Sequence, residues 1–153
     1  MSMSSQQFID KGEISSYNLW IVGLNTMILL AMKIVFWRAN RIGAAKALMK
    51  GWNRKVQFDV ESASPFYVRV QEGLASLVEG RAEKPDLIIK ARSNNLRKII
   101  RGDLKFEEAF LRKQFEAIGS IHDAAIFNRI VGVVLDSHKG SISIFRRFFG
   151  KFI

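Results

Sequence analysis

Gly119-Ser120-Ile121-His122-Asp123 sets a hydroxyl, an imidazole and a carboxylate almost side by side, the three groups that acyl-transfer enzymes use. In that chemistry the serine attacks, the histidine moves its proton and the carboxylate orients the imidazole, and the three converge from separate elements. Near-neighbours on one turn do not converge in that way. S-x-x-D is instead a helix-capping pattern, so Ser120 and Asp123 are expected to open a helix. Glu107, Glu108 and Glu116 read as solvated carboxylates, and His138 beside Lys139 reads as an exposed residue. The chain has no cysteine and two histidines, which removes disulfides, thiolate metal sites and cysteine nucleophiles. It also lacks G-x-S-x-G, G-x-G-x-x-G, a phosphate-binding P-loop and H-E-x-x-H. The expectation is a protein that is not an enzyme and holds no metal or cofactor.

The elements that would carry any other function are bounded by size and charge. A chain of 153 residues is one ordinary domain with appendages. Apolar residues at 48% exclude a disordered chain, and charged residues at 25% exclude one wholly immersed in lipid. The net charge of +10 raises a polyanionic partner, nucleic acid or anionic lipid. Residues 1–55 hold eight basic and two acidic residues and 139–153 hold four basic and none acidic, which leaves 56–138 neutral. The excess charge therefore lies at the two ends.

Leu19 to Trp37 is apolar except for Gly23, Asn25, Thr26 and Lys33. As a helix it would reach about 28 Å, close to the thickness of a bilayer's hydrocarbon core. Trp20 and Trp37 sit near its ends, where indole rings favour the interface, and Lys33 is near enough to one end to snorkel. The cations that follow place the rest of the chain on the cytoplasmic side. A cleavable leader fits poorly, because the stretch before the apolar run is not basic. Length and composition leave a second reading open, a long helix packed on its own domain or in a homo-oligomer, and Asn25, Thr26 and Lys33 favour it. Ile142 to Ile153 forms a basic amphipathic helix on a wheel: Phe145, Phe148, Phe149 and Phe152 on one side, Arg146, Arg147 and Lys151 on the other. Rings opposite cations suit an anionic membrane surface, and the same rings could dock on the domain's own core. Nucleic acid is not expected as a partner, because the folded middle has no basic stripe or recognition motif.

The middle alternates. Ala39 to Asn53 has Ile42, Ala45, Met49 and Trp52 at helical spacing. Val56, Phe58 and Val60, then Phe66, Val68 and Val70, alternate with polar residues around a turn at Ser62 to Pro65, which predicts a hairpin. Glu72-Gly73 and Gly80 to Pro85 turn the chain into Leu74 to Glu79 and Asp86 to Arg92, giving four strands expected to be antiparallel. Ser93 caps a short helix stopped by Gly102, a turn or two follows at Phe106 to Phe110, and a fifth strand begins at Phe115. A strongly apolar helix then runs from Ile121 to Asp136. This order predicts an α+β fold, a five-stranded mostly antiparallel sheet covered by helices, with an extra apolar helix in 1–38 and the amphipathic tail in 139–153.

Asp86 opening a strand, Ser93 with Leu96 and Ile100, Gly102-Asp103-Leu104, Ala109-Phe110-Leu111, then Phe115 and Gly119 follow one another in a pattern that resembles the sterol carrier protein 2, or sterol-binding domain, family over residues 39–138. Lys113 departs from it, standing where many members have glycine. The resemblance implies an apolar tunnel between sheet and helices that takes sterols, acyl chains or isoprenoid lipids, and no chemistry. The apolar residues around Phe106 to Phe115 and on the last helix exceed what covering a small sheet needs. Phe106, Phe110, Leu111, Phe115, Phe127, Ile130, Val131 and Val134 are the candidates for the lipid-binding wall. The expected function is a lipid- or sterol-binding carrier at the cytoplasmic face of a membrane. Two alternatives stay open: an accessory factor holding a hydrophobic biosynthetic intermediate such as a quinone precursor, and an interaction protein whose tunnel is filled by side chains.

Overall fold

The computed structural model describes residues 26–61 and 63–137, with Ile100, Phe106 and Glu107 described in backbone only. Alternation becomes a sheet. In β1 (Arg54–Glu61) and β2 (Phe66–Gln71) the side chains of Val56, Phe58, Val60, Phe66, Val68 and Val70 all turn to one buried face. Antiparallel pairing sets Phe58 opposite Phe66, and their rings stack at 4.9 Å. Glu72 and Gly73 both take positive φ, 53° and 75°, making the two-residue hairpin turn that matches strand twist, and β3 (Leu74–Glu79) returns beside β2.

The chain next does what alternation could not foretell. β4 (Leu87–Arg92) runs parallel to β1, from Val56 opposite Leu87 to Glu61 opposite Arg92. β5 (Phe115–Gly119) pairs antiparallel with β4, so the five strands run β3-β2-β1-β4-β5 in a mixed sheet. The expected four-strand antiparallel order is thereby corrected. Alternation specifies which face a residue occupies and says nothing of which strand lies alongside. The link from edge to centre, residues 80–86, passes over the face of the sheet away from Val56 and Phe58. Gln57, buried on that face, accepts a hydrogen bond from the Ala82 amide at 2.7 Å and donates to the Phe66 carbonyl at 3.0 Å. Arg81 meets Asp59 at 3.1 Å, and Asp86 accepts from the Lys55 amide at 2.8 Å.

The buried face is covered by helices at residues 26–39 (α1), Gly43–Met49 (α2) and Ile121–Asp136 (α5). The helix expected over Ala39 to Asn53 is shortened to seven residues, because Ile42 and Lys50 are extended and Gly51 has φ 75°. Ile28, Ala31, Met32, Phe36 and Ala39 of α1 are buried in the main core. Phe127 of α5 is the hub: its ring centroid lies 6.0 Å from that of Phe36, 6.5 Å from Trp52 and 5.8 Å from Phe58. Each such ring contributes about 1.5–3 kcal/mol by leaving water. At the sheet's outer edge the Asn40 side chain donates to the Ala75 carbonyl at 2.8 Å and accepts from its amide at 2.7 Å, pairing one residue of β3 as a strand would.

Two short helices, α3 (Ser93–Ile100) and α4 (Phe106–Leu111), bridge β4 and β5. Ser93, expected as a cap, is the first helical residue, and the cap position falls on Arg92 with no side-chain bond. Both helices end in the same doubly bonded turn. Asp103 donates to Lys98 and Gly102 to Ile99, and likewise Gln114 to Ala109 and Lys113 to Phe110. The left-handed residue is Gly102 in the first and Lys113, at φ 56°, in the second. Lys113 thus takes the backbone conformation that favours glycine. Ala91, Ile99, Ala109 and Phe115 form a second small core under these helices.

Among the described residues no helix is long and apolar enough to cross a membrane. Residues 26–37 of the apolar segment pack on the sheet, and residues 19–25 lie outside the described part.

Candidate functional site

The apolar side chains expected to form a wall are divided between the two cores, and the boundary between them is the candidate site. Leu87 and Ile89 of β4, Phe115 and Ala117 of β5, and Ala124 and Phe127 of α5 face one another there, with Phe110 of α4 as the roof. Every residue of this seam is apolar. Its free volume is about 10 Å³, against the roughly 300–1,000 Å³ of an occupied ligand pocket. The expected tunnel is closed by side chains at this point. The ring that closes it is half exposed: Phe110 keeps 42% of its surface in water.

Phe115, Phe127, Ile130, Val131 and Val134 are buried, and of these Phe115 and Phe127 line the seam. Phe110 borders the seam, whereas Leu111, one residue on, points outward with 74% of its surface exposed. The side chain of Phe106 lies outside the description. A second apolar space, about 330 Å³, opens where the described chain begins, between Ile28 and Leu29 of α1 and Phe66 of β2, with Thr26, Pro65 and Glu79 at its rim. Sequence reasoning missed it, because the pairing of α1 with the β1–β2 turn leaves no local pattern. Two further depressions among the described residues lie at strand ends and on the far face, and charged side chains line both. One of about 500 Å³ has Arg81, Lys90, Arg92 and Lys113 against Asp59, Glu61 and Glu116; one of about 400 Å³ has Arg54, Lys55 and Arg69 with Asp86.

The Ser120-His122-Asp123 constellation is dispersed by the fold. Ser120 is the N-cap of α5 and its hydroxyl accepts from the Asp123 amide at 3.4 Å. The Asp123 side chain goes elsewhere: Trp52 Nε1 donates to one carboxylate oxygen at 2.9 Å and Arg54 Nε to the other at 2.9 Å. Burial pushes this carboxyl up, but the hydrogen bonds from Trp52 and Arg54, with the charges of Arg54 and His122, outweigh it and hold it below the ordinary carboxylate value. Asp123 therefore ties α5 to the start of β1 as a structural anion. Sequence reasoning gave it a capping role and missed this one, although a carboxylate on a strongly apolar helix was the available signal. Among the described residues no group of three or more His, Asp or Glu side chains could hold a metal ion.

Trp37 is exposed, with the Arg41 guanidinium 3.9 Å above its ring. The other expected membrane contacts, Trp20, Phe145, Arg146, Arg147, Phe148, Phe149, Lys151 and Phe152, lie outside the described residues.

The fold recurs in known proteins. Palmitated SCP2L2 from Aedes aegypti matches at a TM-score of 0.54 with 16% identity, over 66% of this chain and 90% of that one. The sterol carrier protein domain 2 of Helicoverpa armigera matches at 0.53 with 18% identity, over 67% and 85%. At a TM-score of 0.46 and 15% identity, 57% of this chain matches the inverting sec-alkylsulfatase Pisa1 from Pseudomonas sp., where it spans 14% of the length of the enzyme. No curated protein is detectably similar in sequence. The sequence profile of the SCP-2 sterol transfer family matches residues 37–131, more than half of the chain and nearly the span of the resemblance read from its motifs, and the protein belongs to that family.

Proposed function

We propose that the protein is a non-enzymatic lipid carrier, taking an acyl, sterol-like or isoprenoid molecule from the cytoplasmic face of a membrane and presenting or transferring it. The observation that carries this reading is the seam between the two cores, lined by Leu87, Ile89, Phe110, Phe115, Ala117, Ala124 and Phe127 and by no polar side chain. A hydrocarbon chain can open such a seam with no polar group left unsatisfied, whereas a polar substrate would strand its own groups there. α4 is a six-residue helix held by a small core of its own, so its displacement with Phe110 opens the seam while the ring cluster around Phe127 stays packed. Family membership supports the same class of ligand.

The test is a titration of the delipidated full chain with a fluorescent fatty acid. Saturable binding of a single ligand per chain is expected. Ala124→Leu, which fills the seam from α5 without adding charge, should lower that binding while leaving the fold intact by circular dichroism. Unchanged binding would remove the seam as the site, and no binding of acyl, sterol or isoprenoid probes by the wild-type chain would overturn the carrier reading.

A further inference from the structure

The two edges of the sheet are finished differently. At β3 the Asn40 side chain bonds to both backbone groups of Ala75 and so occupies part of the edge. At the other edge β5 is bonded to β4 alone among the described strands. Apart from β4, no described residue bonds to the backbone of Glu116 to Gly119. A strand edge left open in this way offers its outward N–H and C=O groups to another strand.

Apolar surface gathers at the same place. Of seven large apolar side chains exposed among the described residues, four lie on β5 or on the elements joined to it: Ile118 on β5, Phe110 and Leu111 at the end of α4, and Ile121 at the start of α5. Ile118 keeps 41% of its surface in water and Ile121 87%. Ile118 stands opposite Ile88 of β4 on the face away from the helices, and Phe110 borders the seam on the helix side. Both sides of the edge therefore carry apolar groups. Strands that must remain at an edge are commonly guarded by lysine or proline, whereas the one charged residue of β5 is Glu116, which stands opposite Lys90 of its own sheet.

We propose that the β5 edge is an interface with a second copy of this chain, the two β5 strands pairing antiparallel about a two-fold axis and joining the two sheets into one. The sequence of β5 sets the register. Residues directly opposite share a face in an antiparallel pair, and like charges there are destabilising, which excludes Glu116 against itself. Ala117 against itself would press each Glu116 carboxylate on Ile118. Ile118 against itself sets Ala117 opposite Gly119 and Glu116 opposite Ser120. That register makes an unbroken row across the joint: Ile88 and Ile118, then Ile118 and Ile88 of the second copy. Such self-complementarity is what an isologous contact requires, and it favours a second copy over an unrelated strand.

Sedimentation velocity of the full chain across a concentration series tests this, and a reversible dimer is expected. Ile118→Lys, at an exposed position, puts two cations against each other at the axis. It should weaken the dimer about tenfold and leave the circular dichroism of the wild type. Because the chain has no cysteine, Ile118→Cys introduces a single thiol at the axis, and oxidation with diamide should link the two copies. Ser76→Cys, exposed on β3 at the opposite edge, should stay largely unlinked. A monomer at every concentration would overturn the proposal. So would a dimer that keeps wild-type affinity in Ile118→Lys, or equal cross-linking of the two cysteine variants. Slow hydrogen exchange along β5 in a monomer would give the edge to another segment of the same chain, and that result also overturns it.

Discussion

Asp123 shows how a single side chain can look like chemistry and serve structure. Its carboxylate receives Trp52 and Arg54, each at 2.9 Å, and hydrogen bonds to a charged group contribute about 1.5–3 kcal/mol each. Its folded-state proton affinity is lowered, so the stabilisation is fully present above the ordinary carboxylate range and is lost as pH falls through the lower, folded value. Asp123→Asn should therefore cost about 2 kcal/mol at neutral pH, and its deficit against wild type should shrink as the medium is acidified, as urea unfolding at several pH values would measure. A deficit independent of pH would assign the loss to packing. Lys113 offers the opposite case. It occupies the left-handed turn that a glycine fills at Gly102, and an L-residue there costs about 1 kcal/mol. Lys113→Gly should raise stability by up to about that amount, and a lower melting temperature in this variant would contradict the assignment. That departure from the family pattern was visible in sequence, but its meaning was not: the residue type shows no φ angle.

Between elements, legibility divides along physical lines. The strands of the sheet and the long helix were readable because one-sided burial writes period two or 3.6 into the sequence. The parallel union of β1 and β4 was not, since it depends on residues 80–86 crossing a face and being held there by Gln57, Asp59 and Lys55 through distant contacts. The interruption between α1 and α2 was hidden for a related reason: Ile42 and Trp52 keep helical spacing although Ile42 is extended and Trp52 lies past the helix end. Asn40, in that interruption, shields the edge strand with two hydrogen bonds to Ala75. Asn40→Ala should cost about 1–3 kcal/mol by removing both, and hydrogen exchange should quicken first at the Ala75 amide. Protection unchanged at Ala75 would show that the edge is held by other contacts.

At the scale of the molecule, charge and apolar surface are partitioned. The main core is centred on Phe127, a smaller core lies under α3 and α4, and the seam is the apolar space at their boundary. The candidate wall was read from an excess of apolar residues, and Phe110, Phe115 and Phe127 of it line the seam. Its division into a packed ring cluster, a closed seam and an outward Leu111 was not legible, because periodicity reports that a residue is buried and not what it is buried against. Part of the basic excess, Lys33, Arg41, Lys46 and Lys50, lies exposed on α1, on α2 and just beyond their ends, and the rest of the N-terminal share before residue 26 and all of the C-terminal share lie outside the described residues. Mass spectrometry of the protein purified without detergent tests most directly whether the interior holds lipid. A single acyl, sterol-like or isoprenoid molecule retained per chain under native conditions is the predicted result, and an empty chain that also refuses such lipids when they are added back would contradict it.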